Sequence, residues 1–213
     1  MNRISCFPIK TSTMIIFLSI GNTGFCTSIM WNNDQNHKNR VINGSANLVN
    51  AEYENVTVNG SLSFNNLSVK NKLNVNGTSF GLKLIAKIIE FNGSIEASNV
   101  KAQLLTVNGS LTGSDITITE KTKLNGPAHV NNAQLHSVDI ASTIAAFIDS
   151  EITGNTVIKK VITNDKPAKQ IIELKGNTVV LGDITFEQEG GEIHLYDQAE
   201  VKGTVLNGRV VKK

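Results

Sequence analysis

The dipeptide Asn-Gly recurs at six evenly spaced positions in this chain, and that spacing constrains the fold more than any other feature. The glycines are Gly44, Gly60, Gly77, Gly93, Gly109 and Gly126, with successive differences of 16, 17, 16, 16 and 17. A fixed period of this length marks a repeat architecture, one supersecondary unit copied along an axis. The flanks repeat as well. "VNGSL" stands at 58–62 and again at 107–111, with "INGSA", "VNGTS", "FNGSI" and "LNGPA" at the other positions. A further window, "VDIASTI" from Val138, keeps the register but has Ala-Ser in place of Asn-Gly.

Within a window, apolar and polar residues alternate, the period of a half-buried strand. Val56, Val58, Leu62, Phe64, Leu67 and Val69 therefore share one side of the chain. Polar pairs interrupt the alternation five and six residues after the glycine: Asn65-Asn66, Ser98-Asn99, Ser114-Asp115 and Asn131-Asn132. A third, less regular break falls at Lys70–Lys72, Lys101-Ala102 and Glu120-Lys121. Three short strands and three corners per 16–17 residues describe one coil of an all-β, single-stranded parallel β-helix, a β-solenoid. One coil cannot bury its own inward side chains, so stacking must do it. At about 4.8 Å per coil, seven or so coils make a rod of about 35 Å. Aromatic residues are 5% of the chain, so the core is filled by aliphatic side chains.

In this fold the repeated dipeptide has a mechanical role. Glycine reaches positive φ without a Cβ penalty, and Asn tolerates such conformations better than most residues. Asn59, Asn76, Asn92, Asn108 and Asn125 are expected to stack as an amide ladder, with Gly60, Gly77, Gly93, Gly109 and Gly126 turning the chain beside them. Asn-Gly also suits a tight antiparallel hairpin, but the fixed longer period argues against a sandwich or antiparallel barrel. Asn43, Asn55, Asn59, Asn66, Asn76, Asn92 and Asn108 match the N-glycosylation pattern. Turn chemistry explains their position better, and glycans on adjacent coils would collide.

The first 28 residues read as a signal peptide or membrane-targeting segment. Arg3 and Lys10 precede the apolar run Met14–Ile20, and small and polar residues follow. The run is short of the ~20 residues that span a bilayer. Cys6 and Cys26 flank it, outside the repeated body, which argues against a structural disulfide. Residues 29–41 read as a polar lead-in, 42–162 as regular solenoid, 163–170 as a loop holding one of three prolines, and 171–213 as less regular coils.

That last stretch contains "VVLGDITF" and "AEVKGTVLNGRVV", whose apolar-x-Gly-x-apolar steps, together with the Asn-Gly coils, resemble the bactofilin or polymer-forming cytoskeletal family. The resemblance is clearest over Ile171–Val211. It implies a right-handed β-helix that assembles end to end into filaments without nucleotide, and it brings no catalytic residues. The signal-like N-terminus and the Asn/Ser richness depart from that family and point to a periplasmic or surface relative.

Solenoids also include carbohydrate-active enzymes, which need paired carboxylates on one face. The candidates for chemistry here are His129 and His136 in one coil, and Glu192, His194 and Asp197 near the end. They read more simply as solvated strand and corner residues, because a catalytic or metal-bound His needs oriented partners. There is no zinc spacing, phosphate loop or nucleophile elbow. "ITIT" at 116–119 is a single Thr-x-Thr, short of the array that an ice-binding face needs. A net charge of +2 without a basic stripe argues against nucleic acid as a partner. The expectation is a non-enzymatic, exported structural protein without cofactor. It would associate with itself through ends or faces, or lie against the cell envelope or a polysaccharide. The alternatives are an adhesin-like or ligand-binding surface and, behind that, a carbohydrate-active enzyme.

Overall fold

Alternation gives every coil an apolar inner row that only the next coil can cover. In the computed structural model of the chain, which describes residues 38–213, the coils stack as a parallel β-solenoid of about ten turns, with no helix. The signal-like segment, both cysteines and most of the lead-in lie outside the described residues. Pairing begins inside the stretch read as lead-in: β1 is Asn39–Asn43, and Asn39 lies against Asn55 in register.

The regular part continues with β2 (Ala46–Asn59), β3 (Leu62–Asn76), β4 (Ser79–Asn92), β5 (Ile95–Asn108) and β6 (Leu111–Asn125). Each of β2 to β6 is one coil and pairs in parallel with the next along nearly its whole length. The strands are interrupted only at the Asn-Gly corner and run on through the other two. Of those two, the first bends at a single residue with φ between 47° and 60°: Asn50, Asn66, Lys83, Asn99, Asp115, Asn132 and Asp149. These are the second members of the polar pairs and their register equivalents. The second is a register shift, at Val69/Lys72 and again at Ile118/Lys121. The two coils that are 17 residues long hold their additional residue there: Val69 to Leu73 and Ile118 to Thr122 each span four steps, against three from Ala86 to Ile89.

Inside, the alternating residues form continuous columns. Val56, Val58, Leu62, Phe64, Leu67 and Val69 are all buried. Phe64 lies over Gly81 in register, and a Cβ on Gly81 would run into the Phe64 ring. Large rings therefore sit beside small residues, which keeps the coils at even spacing while the interior stays filled.

The later coils keep the stack but lose the uniformity. They comprise β7 (Ala128–Asn131), β8 (Gln134–Ile140), β9 (Ile144–Ile148), β10 (Glu151–Ile152), β11 (Thr156–Ile158), β12 (Ile162–Thr163) and β13 (Lys166–Pro167). They continue with β14 (Ile171–Lys175), β15 (Val179–Val180), β16 (Ile184–Phe186), β17 (Gly191–Leu195), β18 (Glu200–Val201), β19 (Val205–Leu206) and β20 (Gly208–Lys212). Ile158 lies in register with both Ile140 and Phe186, so the axis is unbroken beyond the point where the sequence period drifts. The drift comes from an excursion. After Ile158 the chain leaves the stack, forms the antiparallel pair β12–β13, and returns at Ile171 beneath Ile144. The polar stretch 163–170 is thus mostly the second half of a hairpin. With these coils the rod is about 45 Å long at ~4.8 Å per turn.

Candidate functional site

At the Asn-Gly corner the glycines Gly60, Gly77, Gly93, Gly109 and Gly126 have φ between 146° and 152°. A Cβ on any of them would overlap the carbonyl oxygen of the glycine one coil earlier. Both the dihedral and the close approach of stacked backbones require glycine. Beside them the asparagines bond along the axis. Asn59 Nδ2 donates to Asn43 Oδ1 at 2.8 Å, Asn76 to Asn59 at 2.8 Å, and Asn92 to Asn76 at 2.7 Å. Asn108 then donates to Asn92 at 2.6 Å, and Asn125 to Asn108 at 2.6 Å. Asn43, not named with the ladder in the sequence, is its first rung. Hydroxyls run alongside: Ser61 lies 3.2 Å from Thr78, and Ser110 donates to Ser94 at 2.9 Å. These bonds are exposed, and each contributes about 1 kcal/mol at most.

The ladder ends at Asn125. Ile140 lies in register with Leu124, so the next corner is "ASTI". It spans four residues between Ile140 and Ala145, against three between Leu124 and Ala128. Without a glycine to turn the chain sharply, the corner is longer. Ser142 steadies it, its Oγ donating to Ile144 O at 2.8 Å.

Near the other end, Glu192 and His194 project from the same side of β17, as their alternation implies, but they are not solvated. Their side chains are 7% and 10% exposed. Two segments distant in sequence cover them. Lys169, from the excursion, places Nζ 3.0 Å from Glu192 Oε1. Arg209, from the last coil, donates to the same oxygen through Nη2 and, at 3.2 Å, through Nε. His194 Nε2 shares a 2.8 Å hydrogen bond with Glu192 Oε2. Arg209, then His194 and Lys169, pull the Glu192 carboxyl down to about 2 from 4.5. Above His194 in register stands Glu173, which pairs with Lys175 at 2.8 Å, and Lys175 lies 5.0 Å from the centre of the Tyr196 ring.

This arrangement is a charged clamp. It ties the excursion, the penultimate coil and the last coil through one carboxylate. A group held ionised so far below neutral pH cannot serve as a general acid there, and its oxygens are already occupied. His129 and His136 are not brought together. His129 faces outward on β7, while His136 Nδ1 lies 3.0 Å from Thr153 Oγ1 at a different corner. Asp197 has φ 56° at a corner and accepts a bond from the Gly176 N–H at 3.1 Å. Lys169 and Arg209 were invisible as partners of Glu192. They lie 23 residues before it and 17 after it, and only the coil register brings them to it.

No family model, curated protein or solved structure matches the chain. What stands is the architecture itself, a parallel β-solenoid of about ten turns.

Proposed function

We propose that this chain is a non-enzymatic structural protein, an exported β-solenoid that joins other copies of itself end to end in the manner of bactofilins. The observation that carries this reading is the last coil. Among the described residues, β18, β19 and β20 each pair with one earlier strand and with nothing below. Their free edge is a row of backbone donors and acceptors, a template for another parallel strand. The inward residues Val201, Val205 and Val210 continue the core columns of Val180, Ile184 and Ile193, yet Val210 is 43% exposed because no coil covers it. Leu206 adds 49% exposure at the same end. Lys212, in the register of Leu195, is the one charge among these inward positions. At the opposite end, among the described residues, β1 pairs with β2 alone. The signal-like N-terminus supports export, and the Gly-centred steps of the last coils support the family comparison.

Negative-stain electron microscopy and light scattering of the mature protein test this. Filaments or end-joined rods are expected, shortened by Val210→Lys and lengthened by Lys212→Leu. Monomers at every protein and salt concentration, unchanged by Lys212→Leu, would end the reading.

A further inference from the structure

We propose that Asn125 is the site at which this chain deamidates spontaneously, through a succinimide formed with Gly126. Asn-Gly is chemically labile because glycine leaves its backbone nitrogen unshielded by a Cβ. In the reaction the Gly126 nitrogen loses its proton to solvent base and attacks Asn125 Cγ. The N–Cγ bond forms, the Cγ–Nδ2 bond breaks, and ammonia departs with a proton from water. Water then opens the ring at either carbonyl, leaving aspartate or isoaspartate. No further reactant is needed.

The stack holds the nucleophile still at the other ladder corners. The Gly44 N–H donates to Asn59 O at 2.9 Å, Gly60 to Asn76 O at 3.0 Å, and Gly77 to Asn92 O at 3.0 Å. Gly93 donates to Asn108 O at 3.0 Å and Gly109 to Asn125 O at 3.1 Å. Every one of these acceptors belongs to the following coil. Gly126 has no Asn-Gly coil after it, and among the described residues its N–H meets no acceptor. The four-residue "ASTI" corner has moved the carbonyl that would have taken it.

The electrophile is released at the same place. Asn59, Asn76, Asn92 and Asn108 each donate to one rung and accept from the next. Asn125 donates to Asn108 but accepts no amide, because Ala141 follows it in the stack. Asn125 is exposed, so water and base reach it. The seventh Asn-Gly, Asn207-Gly208, is pinned differently: Asn207 Nδ2 donates to Phe186 O at 3.0 Å, and Gly208 is wedged against the Phe186 ring. Reaction at Asn125 would leave a carboxylate that cannot donate to Asn108.

The test is to hold the full chain at mildly alkaline pH and follow each Asn-Gly peptide by mass spectrometry, with a urea-unfolded sample alongside. Buried or bonded amides react only after local opening, so Asn125 is expected to convert about tenfold or more faster than Asn59, Asn76, Asn92 and Asn108. In urea these sites should level. Hydrogen exchange supplies an independent reading: the Gly126 amide should exchange early, and those of Gly60, Gly77, Gly93 and Gly109 late. Equal native rates across the ladder, or an Asn125 that stays intact in the native chain while reacting in urea, would overturn the proposal. So would a Gly126 amide as protected as the others.

Discussion

The Asn-Gly coils and the coils after Ile144 solve one problem with different corners. In the first region each coil is a strand of 14 or 15 residues, and one exposed column of amides runs the length of the stack. In the second, strands are two to five residues long, every corner breaks them, and the glycine column moves to a different corner. There Gly154, Gly182 and Gly203 stack with a carbonyl beneath each Cα, as the Asn-Gly glycines do, but without their positive φ. Side-chain oxygens reach across to backbone instead of to each other: Asn155 Oδ1 accepts from the Asp183 N–H at 3.1 Å, and Asp183 Oδ1 from the Thr204 N–H at 2.8 Å. Inward polar residues occur in both regions, Ser79 and Thr122 in the first and others in the second. Ser150 and Thr178 are buried, and the Ser150 N–H donates to Thr178 Oγ1 at 3.2 Å. What both regions share is the inner apolar row and one glycine per coil where backbones meet. The inner row and the close approach hold the stack, and the corner chemistry is interchangeable.

The sharpest way to break this comparison is to fill a glycine column. Gly93→Ala puts a Cβ into the Gly77 carbonyl at φ 148° and is expected to cost more than about 3 kcal/mol in urea unfolding. Gly182→Ala meets the Gly154 carbonyl and should cost a similar amount. Gly190→Ala, with φ 85° but nothing within 4 Å, isolates the cost of the dihedral from that of the clash, and should cost less than either. A tolerated Gly182→Ala would show that the two glycine columns are not equivalent.

A smaller effect, confined to the second region, comes from the clamp. The folded chain holds the ionised form of Glu192, with its carboxyl at about 2 against 4.5. Its stabilising contribution is therefore complete above pH 4.5 and lost as pH falls toward 2. Glu192→Gln should lower the melting temperature at neutral pH and flatten its acid slope. An identical acid slope in wild type and variant would remove the clamp from the account.

The smallest change should be a gain in the first region. Lys83 holds φ 60° between Asn66 and Asn99 in the column where Asn66 donates to Asn50 at 2.8 Å. Lys83→Asn suits that dihedral and fills the missing rung, and is expected to stabilise by about 0.5–1 kcal/mol. Calorimetry showing no rise in melting temperature would mean that these exposed rungs contribute nothing.

Much of the first region was legible because its signals are local and repeated. Alternation marked the inner row, and the polar pairs marked the bend that Asn66, Asn99, Asp115 and Asn132 make. The clamp was not legible. Glu192 and His194 look like outward strand residues, and nothing near them in sequence announces Lys169 or Arg209. Their burial depends on an excursion of the chain whose return register is a matter of three-dimensional packing. Asn-Gly itself is ambiguous outside the period. At 207–208 the asparagine, not the glycine, takes positive φ, at 58°.

The sequence by itself determined that this chain must coil and stack, because an alternating apolar row with a glycine turn every 16 or 17 residues has no other way to leave water. Only the tertiary structure decided what lies beside what across coils. It set where the ladder ends, which glycine nitrogen is left without an acceptor, and which cations close over Glu192. Those depend on the number of residues in each corner. A residue added at the register-shift corner leaves the outer ladder in place, whereas one added at the glycine corner, as in "ASTI", leaves the inner pattern intact and ends the ladder.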